Sequence, residues 1–389
     1  MSHIDVLPHE ELAPASPVDL TRVRRPAYGR TLDDLEPGRV FVHPRGLTFT
    51  PALLRDFAMT FHQANPLYLN VEVAKHLGHA AIPASPQLVF NVVLSLGVQN
   101  DSEKAIANLG YYDALFVRPV YAGDTLTAMT KVLDRKDRGA DKPGIVTIRT
   151  IGLNQRNELV LRYDRKVFVG HRKAGEQSAP DLPKDVAPAW PEGADTVARA
   201  EIPVPPAGRI RHLTGPTTYA EDFAPGDIVV HPNGRTITDE HVAWTYRVGN
   251  THPLHYDRLF STSREGKMSG EPIVYGGLVF AWLEGLASRD ATENALAEIG
   301  FTEGYHTQPA FAGDTVAALS RVLAVAPAPV PYGASLVTLQ LVGVKNVRAA
   351  AALDRFGAAL FQKENDKERD QKIPEKIFEV ERRVLIRNR

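Results

Sequence analysis

The segment His252-Pro-Leu-His-Tyr256 has residue types suited to proton transfer, because an imidazole titrates near neutral pH. The first half of the chain contains the related sequence Asn65-Pro-Leu-Tyr-Leu69, in which Tyr68 stands where the second half has His255. The two halves repeat each other elsewhere. A repeated scaffold that carries different chemistry in its two halves indicates one working site and one retired site.

Repeated sequences flank this segment in both halves. The stretch Arg118-Pro-Val-Tyr-Ala-Gly-Asp-Thr125 recurs as Gln308-Pro-Ala-Phe-Ala-Gly-Asp-Thr315, which lies 190 positions later. The aspartates of these stretches occur in both copies, as do His43 and His231. Because Gly-Asp at a hairpin turn usually serves the geometry of the turn, we expect structural roles for these residues.

Each copy has the same order of predicted elements. A short strand and a helical stretch come first, and a strongly apolar helix follows at about 87–96 in one copy and 277–286 in the other. Both helices are apolar nearly all round, so we expect them to be buried. Alternating apolar and polar residues then predict long antiparallel strands. They lie at 125–133, 144–152, 159–169, 315–323, 335–344 and 382–386.

One buried helix wrapped by an antiparallel sheet, repeated twice, predicts an α+β chain of two tandem hotdog domains whose sheets meet edge to edge. An arm at 1–35 precedes the first domain at 36–170. A proline-rich linker at 171–215 leads to the second domain at 216–389. The second domain contains an insert at about 346–376, whose many charges predict a solvated excursion.

The bulk properties exclude several classes of function. The 389 residues carry a formal net charge of -1, which gives no reason to expect nucleic acid or an anionic membrane as partner. No apolar run is long enough to span a bilayer, and the N-terminal sequence does not resemble a signal peptide, so we expect a cytoplasmic protein. The absence of cysteine excludes disulfides and thiolate chemistry, and the 13 histidines show no metal-binding spacing.

The segments 246–257 and 270–279 together resemble the signature of the MaoC-like, (R)-specific enoyl-CoA hydratase family. In that signature an acidic residue and a histidine flank Asn-Pro five positions apart, and a glycine after Ile-Val-His opens the central helix. The resemblance covers nearly the whole chain, twice. It implies a lyase that adds water to, or removes it from, a short enoyl-CoA. The CoA thioester is then the substrate, and no metal or redox cofactor is needed.

The resemblance also implies roles for particular residues. His255 takes the place of the family histidine, and the N–H of Gly276 takes the place of the donor that stabilises the enolate-like thioester oxygen. Asn250 replaces the acidic residue, so it can orient a water but cannot accept a proton. We therefore expect His255 to do most of the acid–base work. His252 replaces the family's Asn and could be a second titrating or substrate-binding residue.

The first copy lacks these groups. Gln63, Asn65, Tyr68 and Ser85 stand at the positions of the acid, the Asn, the histidine and the glycine. No acid–base pair remains, so the resemblance implies that this half is retired. We expect it to form part of the acyl or CoA channel, with Tyr68 lining that channel.

One branch of the family is more similar than the others. The segments 105–111, 119–125, 273–277 and 306–315 look like those of mesaconyl-CoA hydratases, also called β-methylmalyl-CoA dehydratases. That substrate pair carries a free carboxylate, which needs a partner when it is buried. We expect the partner to be Arg247 or His306, with Arg118 a third candidate. Tyr275 and Gly277 complete the expected substrate-binding set.

Other functions remain open at this point. The same scaffold could hydrate another enoyl-CoA or an acyl-carrier-protein substrate, or it could hydrolyse a thioester. A non-catalytic acyl-CoA-binding role is a further alternative, because Asn250 replaces the family's acid. We also expect the tandem chain to form a homodimer.

Overall fold

The computed structural model describes residues 17–183, 185–205, 211–264, 269–330 and 332–389. The first part of the predicted arm and six positions of the predicted linker, 184 and 206–210, lie outside these ranges. Within them, the chain forms two similar units. The first unit contains strands β1 to β5 and helices α1 to α3, and the second unit contains β6 to β10 and α4 to α8.

The strands make one antiparallel sheet in the order β1-β3-β4-β5-β2-β7-β10-β9-β8-β6. Their bounds in the first unit are β1 Val40–Thr48, β2 Ala105–Phe116, β3 Thr125–Lys136, β4 Gly144–Leu153 and β5 Leu159–Val169. In the second unit they are β6 Ile228–Thr236, β7 Ala295–His306, β8 Thr315–Pro327, β9 Ala334–Lys345 and β10 Lys376–Arg387. The long strands predicted from alternating residues are confirmed.

The central helices of the two units, α3 and α7, both have 12 residues, whereas the other helices differ between the units. The helices are α1 Pro51–Thr60, α2 Val71–His76, α3 Pro86–Gly97, α4 Asp239–Val242, α5 Trp244–Arg247, α6 Arg258–Thr262, α7 Gly276–Ala287 and α8 Ala349–Phe356. The two predicted apolar helices are confirmed as α3 and α7. No helix in the described part of the chain is long and apolar enough to cross a membrane.

Helices α3 and α7 form the shared core of the two units. Phe90 of α3 and Phe280 of α7 are fully buried, and their ring centroids lie 6.1 Å apart. Each buried ring of this kind contributes about 2 to 3 kcal/mol of stability. Asn91 fixes the crossing of the two helices, because its Nδ2 donates to the carbonyl oxygen of Gly277 at 3.1 Å. The Oδ1 of Asn91 would lie 2.1 Å from a Cβ at Gly277, so this crossing requires glycine.

Strands β2 and β7 were not predicted from the sequence, yet they join the two units. Tyr111 pairs with Gly304, and Leu115 pairs with Gly300. This pairing converts two five-stranded sheets into one of ten strands. It also satisfies backbone groups that would otherwise form open edges. The two units are therefore a single packed body whose central seam is β2 and β7.

The insert between β9 and β10 agrees only in part with the predicted solvated excursion, because its apolar residues pack against the sheet while most of the charge-rich residues 362–372 are exposed. It contains α8, and its Leu360 is completely buried. Its charged residues pair with one another and with β10. Lys376 Nζ lies 2.9 Å from Glu379 and 3.7 Å from Glu364, and all three side chains are buried. Charges of both signs that neutralise each other can be buried, which a count of charges along the sequence does not show.

We predict that Gly285→Ala destabilises the protein. A Cβ at this position of α7 would lie 1.6 Å from the carbonyl oxygen of Phe61. Because the clash is with backbone, the helix must shift away from the end of α1, at a cost of about 3 kcal/mol. Urea unfolding followed by circular dichroism measures this loss. Gly170→Ala is the control, since no atom lies within 4 Å of its added Cβ. Equal unfolding midpoints for the two variants would contradict the packing described for α7.

Candidate active site

A cavity of about 400 Å³, here called the main cavity, lies between the two units. Its wall from the first unit consists of the start of β2 (residues 105–109 and 111), Arg165 and Val167 of β5, and Leu94 of α3 with Val98 and Ser102 after it. The second unit contributes residues 250–255, the start of α7 and the end of β7. Asn365 of the insert lies at the exposed rim. The main cavity therefore needs both units, and it contains most of the residues singled out in the sequence.

His255 is held in one orientation by the backbone. It ends a one-turn 3-10 helix, Pro253–His255. Its Nδ1 lies 2.9 Å from the carbonyl oxygen of Ile273, which can only accept, so Nδ1 carries the proton. Its Nε2 makes no hydrogen bond to the described residues and is left with a free lone pair. Burial lowers the pKa of His255 to about 4, so the imidazole is a neutral base at pH 7.

Asn250 lies on the same wall of the main cavity and has one unused donor. Its side chain is 1% exposed. Its Oδ1 accepts the N–H of His252 at 2.9 Å, which identifies the other amide atom as nitrogen. That Nδ2 has no hydrogen-bond partner among the described residues. Asn250 therefore keeps one unspent amide donor, buried in the wall of the main cavity.

Both ring nitrogens of His252 form hydrogen bonds with backbone groups. Nδ1 accepts from the N–H of Leu254 at 3.2 Å and thereby caps the 3-10 helix that carries His255. Nε2 donates to the carbonyl oxygen of Ala105 on β2 at 3.4 Å. Burial, aided by the nearby His255, lowers its pKa to about 3. His252 lines the main cavity, but its ring has no free nitrogen for a second acid–base role.

The first turn of α7 presents backbone donors. Tyr275 is the N-cap, and its side chain makes no capping hydrogen bond. Its carbonyl oxygen accepts the N–H groups of Leu278 and Val279. The N–H groups of Gly276 and Gly277 therefore have no partner within the helix, and they lie at the positive end of the helix dipole. Of the two, Gly276 lines the main cavity, and its N–H can stabilise a developing negative charge on a bound oxygen.

His306 explains why the first residue of α7 is glycine. A Cβ on Gly276 would lie 2.5 Å from His306 Nε2, so any side chain would displace the imidazole. His306 Nε2 also lies 3.4 Å from the hydroxyl of Tyr111 on β2. Burial, together with His255, lowers the pKa of His306 to about 4. The structure thus brings His255, Gly276 and His306 into one neutral, partly enclosed centre.

The aromatic ring of Tyr275 forms one side of this centre. Its centroid lies 5.3 Å from that of His255, and its hydroxyl lies 3.5 Å from Ser95 Oγ. Burial raises the pKa of Tyr275 well above its ordinary value, so the phenol stays neutral. Gly277 lies behind the cavity wall, where its lack of a side chain serves the crossing with Asn91.

Three residues suggested from the sequence lie elsewhere. Arg247 stacks over the ring of Trp244 at 4.8 Å and borders a separate surface cleft. Arg118 is paired with Glu158 at 3.0 Å and Glu201 at 2.6 Å. Tyr68 is buried in another apolar cluster on the far side of the seam. None of the three lines the main cavity, so two of the expected carboxylate partners are too distant for that role.

A minor cavity of about 60 Å³ occupies the equivalent position in the first unit. Tyr68 stands where the main cavity has His255, and Phe116 stands where it has His306. Helices α3 and α7 begin 190 positions apart, so Pro86 is the equivalent of Gly276. The sequence alignment, which placed Ser85 there, was wrong by one residue. Proline has no N–H, so the minor cavity lacks the first backbone donor as well as both histidines.

Several residues of the main cavity were missed in the sequence. Tyr111, Asn108 and Arg165 come from the first unit, and Asn365 comes from the insert. The repeat suggested that each unit builds its own site, and it therefore directed attention away from these positions. A signal was nevertheless present, because the segment 105–111 is among those that resemble the enzyme family.

Comparisons with known proteins show which family the chain belongs to. The family described as mesaconyl-CoA hydratase matches residues 15–352 of the chain. A β-methylmalyl-CoA dehydratase from Chloroflexus aurantiacus is 33% identical over 302 residues, which cover 76% of this chain and 82% of that protein. A mesaconyl-CoA hydratase from Cereibacter sphaeroides is 32% identical over 323 residues, which cover 82% of this chain and 90% of that protein.

Solved structures give the same fold. A MaoC domain protein dehydratase from Chloroflexus aurantiacus superposes with a TM-score of 0.76 and 27% identity, covering 93% of this chain and 98% of that one. A double-hotdog protein from Mycobacterium tuberculosis superposes with a TM-score of 0.67 and 19% identity, covering 92% and 98%. The predicted tandem hotdog fold is confirmed.

We predict that the His252→Asn variant has the same free energy of unfolding as the wild-type protein. The equivalent residue of the first unit is Asn65, which accepts from Leu67 and donates to the carbonyl of Ala295, both at 2.9 Å. His252→Leu removes both hydrogen bonds and should lower the free energy of unfolding by about 1 kcal/mol. Urea denaturation of both variants measures the difference. If both variants lost the same free energy of unfolding, the hydrogen bonds from residue 252 to Leu254 and to Ala105 of β2 would not stabilise this segment.

Proposed function

The chain belongs to the mesaconyl-CoA hydratase family, and we propose that it is a hydro-lyase that interconverts mesaconyl-CoA and β-methylmalyl-CoA with His255 as its acid–base group. One observation carries the proposal: His255 is fixed with a free Nε2 beside the unpaired N–H groups at the start of α7. These are a base and an oxyanion site, the two groups that the addition of water to an enoyl thioester requires.

Water activation is assigned to His255 and Asn250. The Nδ2 of Asn250 donates to the water oxygen and orients one of its lone pairs. His255 Nε2 accepts a proton from this water as the oxygen attacks the β-carbon. The carbonyl oxygen of Ile273 continues to accept the hydrogen bond from Nδ1–H, and this bond stabilises the imidazolium that forms. Asn250 therefore positions the nucleophile and leaves the proton to the histidine.

Backbone N–H groups at the start of α7 stabilise the negative charge that develops when water attacks the β-carbon. As the C–O bond forms, the electrons of the double bond move toward the thioester oxygen. The N–H of Gly276 donates to that oxygen, and the positive end of the helix dipole adds to the stabilisation. Because these donors are fixed before the substrate binds, no reorganisation is needed when the charge develops.

The same histidine completes the reaction. Its imidazolium returns the proton to the α-carbon, the thioester carbonyl re-forms, and His255 is neutral again. The low pKa of His255 makes it a weak base but makes its imidazolium a strong acid, which suits protonation of carbon. One group thus performs both transfers, and the missing carboxylate of the family signature is not required. The addition is redox-neutral, and CoA enters only as part of the substrate.

We predict that His255→Gln lowers kcat for hydration of mesaconyl-CoA on the order of a thousandfold. Glutamine keeps a polar side chain of similar reach but has no basic nitrogen. Loss of the enoyl-thioester absorbance measures turnover. The matched control is Tyr68→Phe at the equivalent position of the first unit, which should keep most of the activity.

Three results would count against this assignment. A His255→Gln variant with near wild-type turnover would remove the proposed base. A Tyr68→Phe variant as inactive as the histidine variant would show that the minor cavity takes part in catalysis. A wild-type protein that binds CoA esters but hydrates neither mesaconyl-CoA nor crotonyl-CoA would favour a binding role.

The pH profile of kcat/KM tests the protonation state. The reaction needs neutral His255, whose pKa is lowered to about 4 by burial. Protonation removes the base, so activity should be present above this pKa and be lost as the pH falls through it. We expect kcat/KM to be level from neutral pH to about pH 5 and to fall about tenfold per pH unit below pH 4. A half-maximal point near the ordinary histidine pKa would contradict this expectation.

Acid unfolding needs its own control in this measurement. His43, His79, His252 and His306 also have pKa values lowered by burial. The unfolded chain therefore binds more protons than the folded one, and stability declines as the pH falls below the ordinary histidine pKa. Circular dichroism at each pH distinguishes this loss of fold from protonation of His255.

A further inference from the structure

We propose that Arg165, which lies on the first unit, binds the free carboxylate of the substrate in the main cavity. This proposal rests on the proposed function, because that function supplies a thioester with a second carboxylate. Under this proposal, the first unit recognises the acyl group of the substrate, although it contributes no acid–base residue. The grounds are the surroundings of Arg165 and a comparison with its equivalent in the second unit.

Arg165 is a buried cation with unused hydrogen-bonding capacity. Its side chain, on β5, is 3% exposed and lines the main cavity. Both of its hydrogen bonds among the described residues come from Nη2, to Asp101 at 2.7 Å and Ser102 at 2.8 Å. Its Nε is buried without a partner. Among the described residues that line the main cavity, Arg165 is the single Lys, Arg, Asp or Glu.

The equivalent residue of the second unit is Arg382. Arg165 pairs across the sheet with Tyr111 of β2, and Arg382 pairs with Phe301 of β7, 190 positions after Tyr111. Arg382 holds two carboxylates. Its Nε and Nη2 donate to Glu298 at 3.2 and 2.6 Å, and its Nη2 also donates to Glu284 at 3.0 Å.

The positions of these glutamates are occupied by uncharged residues around Arg165. Glu298 of β7 corresponds to Asn108 of β2, and Glu284 of α7 corresponds to Leu94 of α3. Both Asn108 and Leu94 line the main cavity. Arg165 has only Asp101, which also accepts a hydrogen bond from Thr130. The two glutamates that hold Arg382 in the second unit therefore have no carboxylate counterpart at positions 94 and 108 around Arg165.

A substrate carboxylate fits the position that Glu298 occupies in the other unit. An arginine holds a carboxylate through parallel N–H donors in a fixed fork, which restricts orientation as well as charge. In mesaconyl-CoA the free carboxylate is carried by the carbon that receives the hydroxyl group. Holding it on Arg165 would therefore place the reacting carbon relative to His255. The neutral histidines of the cavity can donate hydrogen bonds, but Arg165 supplies the charge that a buried carboxylate needs.

The variant Asn108→Glu tests this inference while leaving Arg165 in place. It introduces the carboxylate that the second unit has at Glu298, so an internal group should compete with the substrate. Two substrates are compared: mesaconyl-CoA, and 2-methylcrotonyl-CoA, which has a methyl group in place of the carboxylate. We expect kcat/KM for mesaconyl-CoA to fall on the order of a hundredfold, mostly through KM, with little change for 2-methylcrotonyl-CoA. Asn108→Gln is the matched control and should show no such selectivity.

The Arg165→Lys variant provides an independent test of the inference. It retains a cation for Asp101 but loses the fork, so the preference for mesaconyl-CoA over 2-methylcrotonyl-CoA should fall by at least about tenfold. Melting curves establish that each variant folds, and if Asn108→Glu does not fold, the Arg165→Lys ratio decides. The inference is overturned if both substrates lose activity equally or if neither variant changes the preference. If wild-type protein hydrates neither ester, the proposed function itself fails, and the two failures are distinguishable.

Discussion

The antiparallel pairing of β2 with β7 is the interaction on which the rest of the molecule depends. It places the start of β2, with Tyr111, opposite the second unit's catalytic segment, so that neither unit encloses the main cavity alone. It also makes the carbonyl of Ala105 available to His252, whose cap supports His255. The geometry of the base is therefore set partly by the strand that joins the units.

The two cavities differ through a few residues on one scaffold. Tyr68, Pro86 and Phe116 of the minor cavity stand where the main cavity has His255, Gly276 and His306. In the opposite direction, Glu284 and Glu298 pair with Arg382 in the second unit, whereas Arg165 lines the main cavity with Asp101 as its one paired carboxylate among the described residues. Under the proposed function, the first unit supplies a cation to the main cavity, and the second unit supplies the proposed acid–base group and backbone donor.

Local patterns in the sequence predicted the central helices, most of the long strands and the segment around His255. The periodicity of apolar residues and the positions of glycines depend only on neighbouring residues, so they could be recognised in the sequence before the fold was known. Strands β2 and β7 were missed, and with them Asn108 and Tyr111, because contact across the seam depends on register rather than on nearby sequence. Arg165 lies on the predicted β5, but its place in the main cavity depends on the packing of the two units. Arg247 shows the converse: it is close to Asn250 in sequence, but the intervening turn directs it to another surface. The buried part of the insert was missed because paired charges such as Lys376 and Glu379 cannot be told from solvated ones in the sequence.

The proline at the start of α3 limits what one substitution can do in the first unit. A histidine introduced at position 68 would meet a helix start that has no N–H at position 86, a phenylalanine at 116 and a cavity wall that contains Glu298. A single substitution at position 68 therefore does not turn the minor cavity into a copy of the main one, because the backbone donor and the second histidine would still be missing.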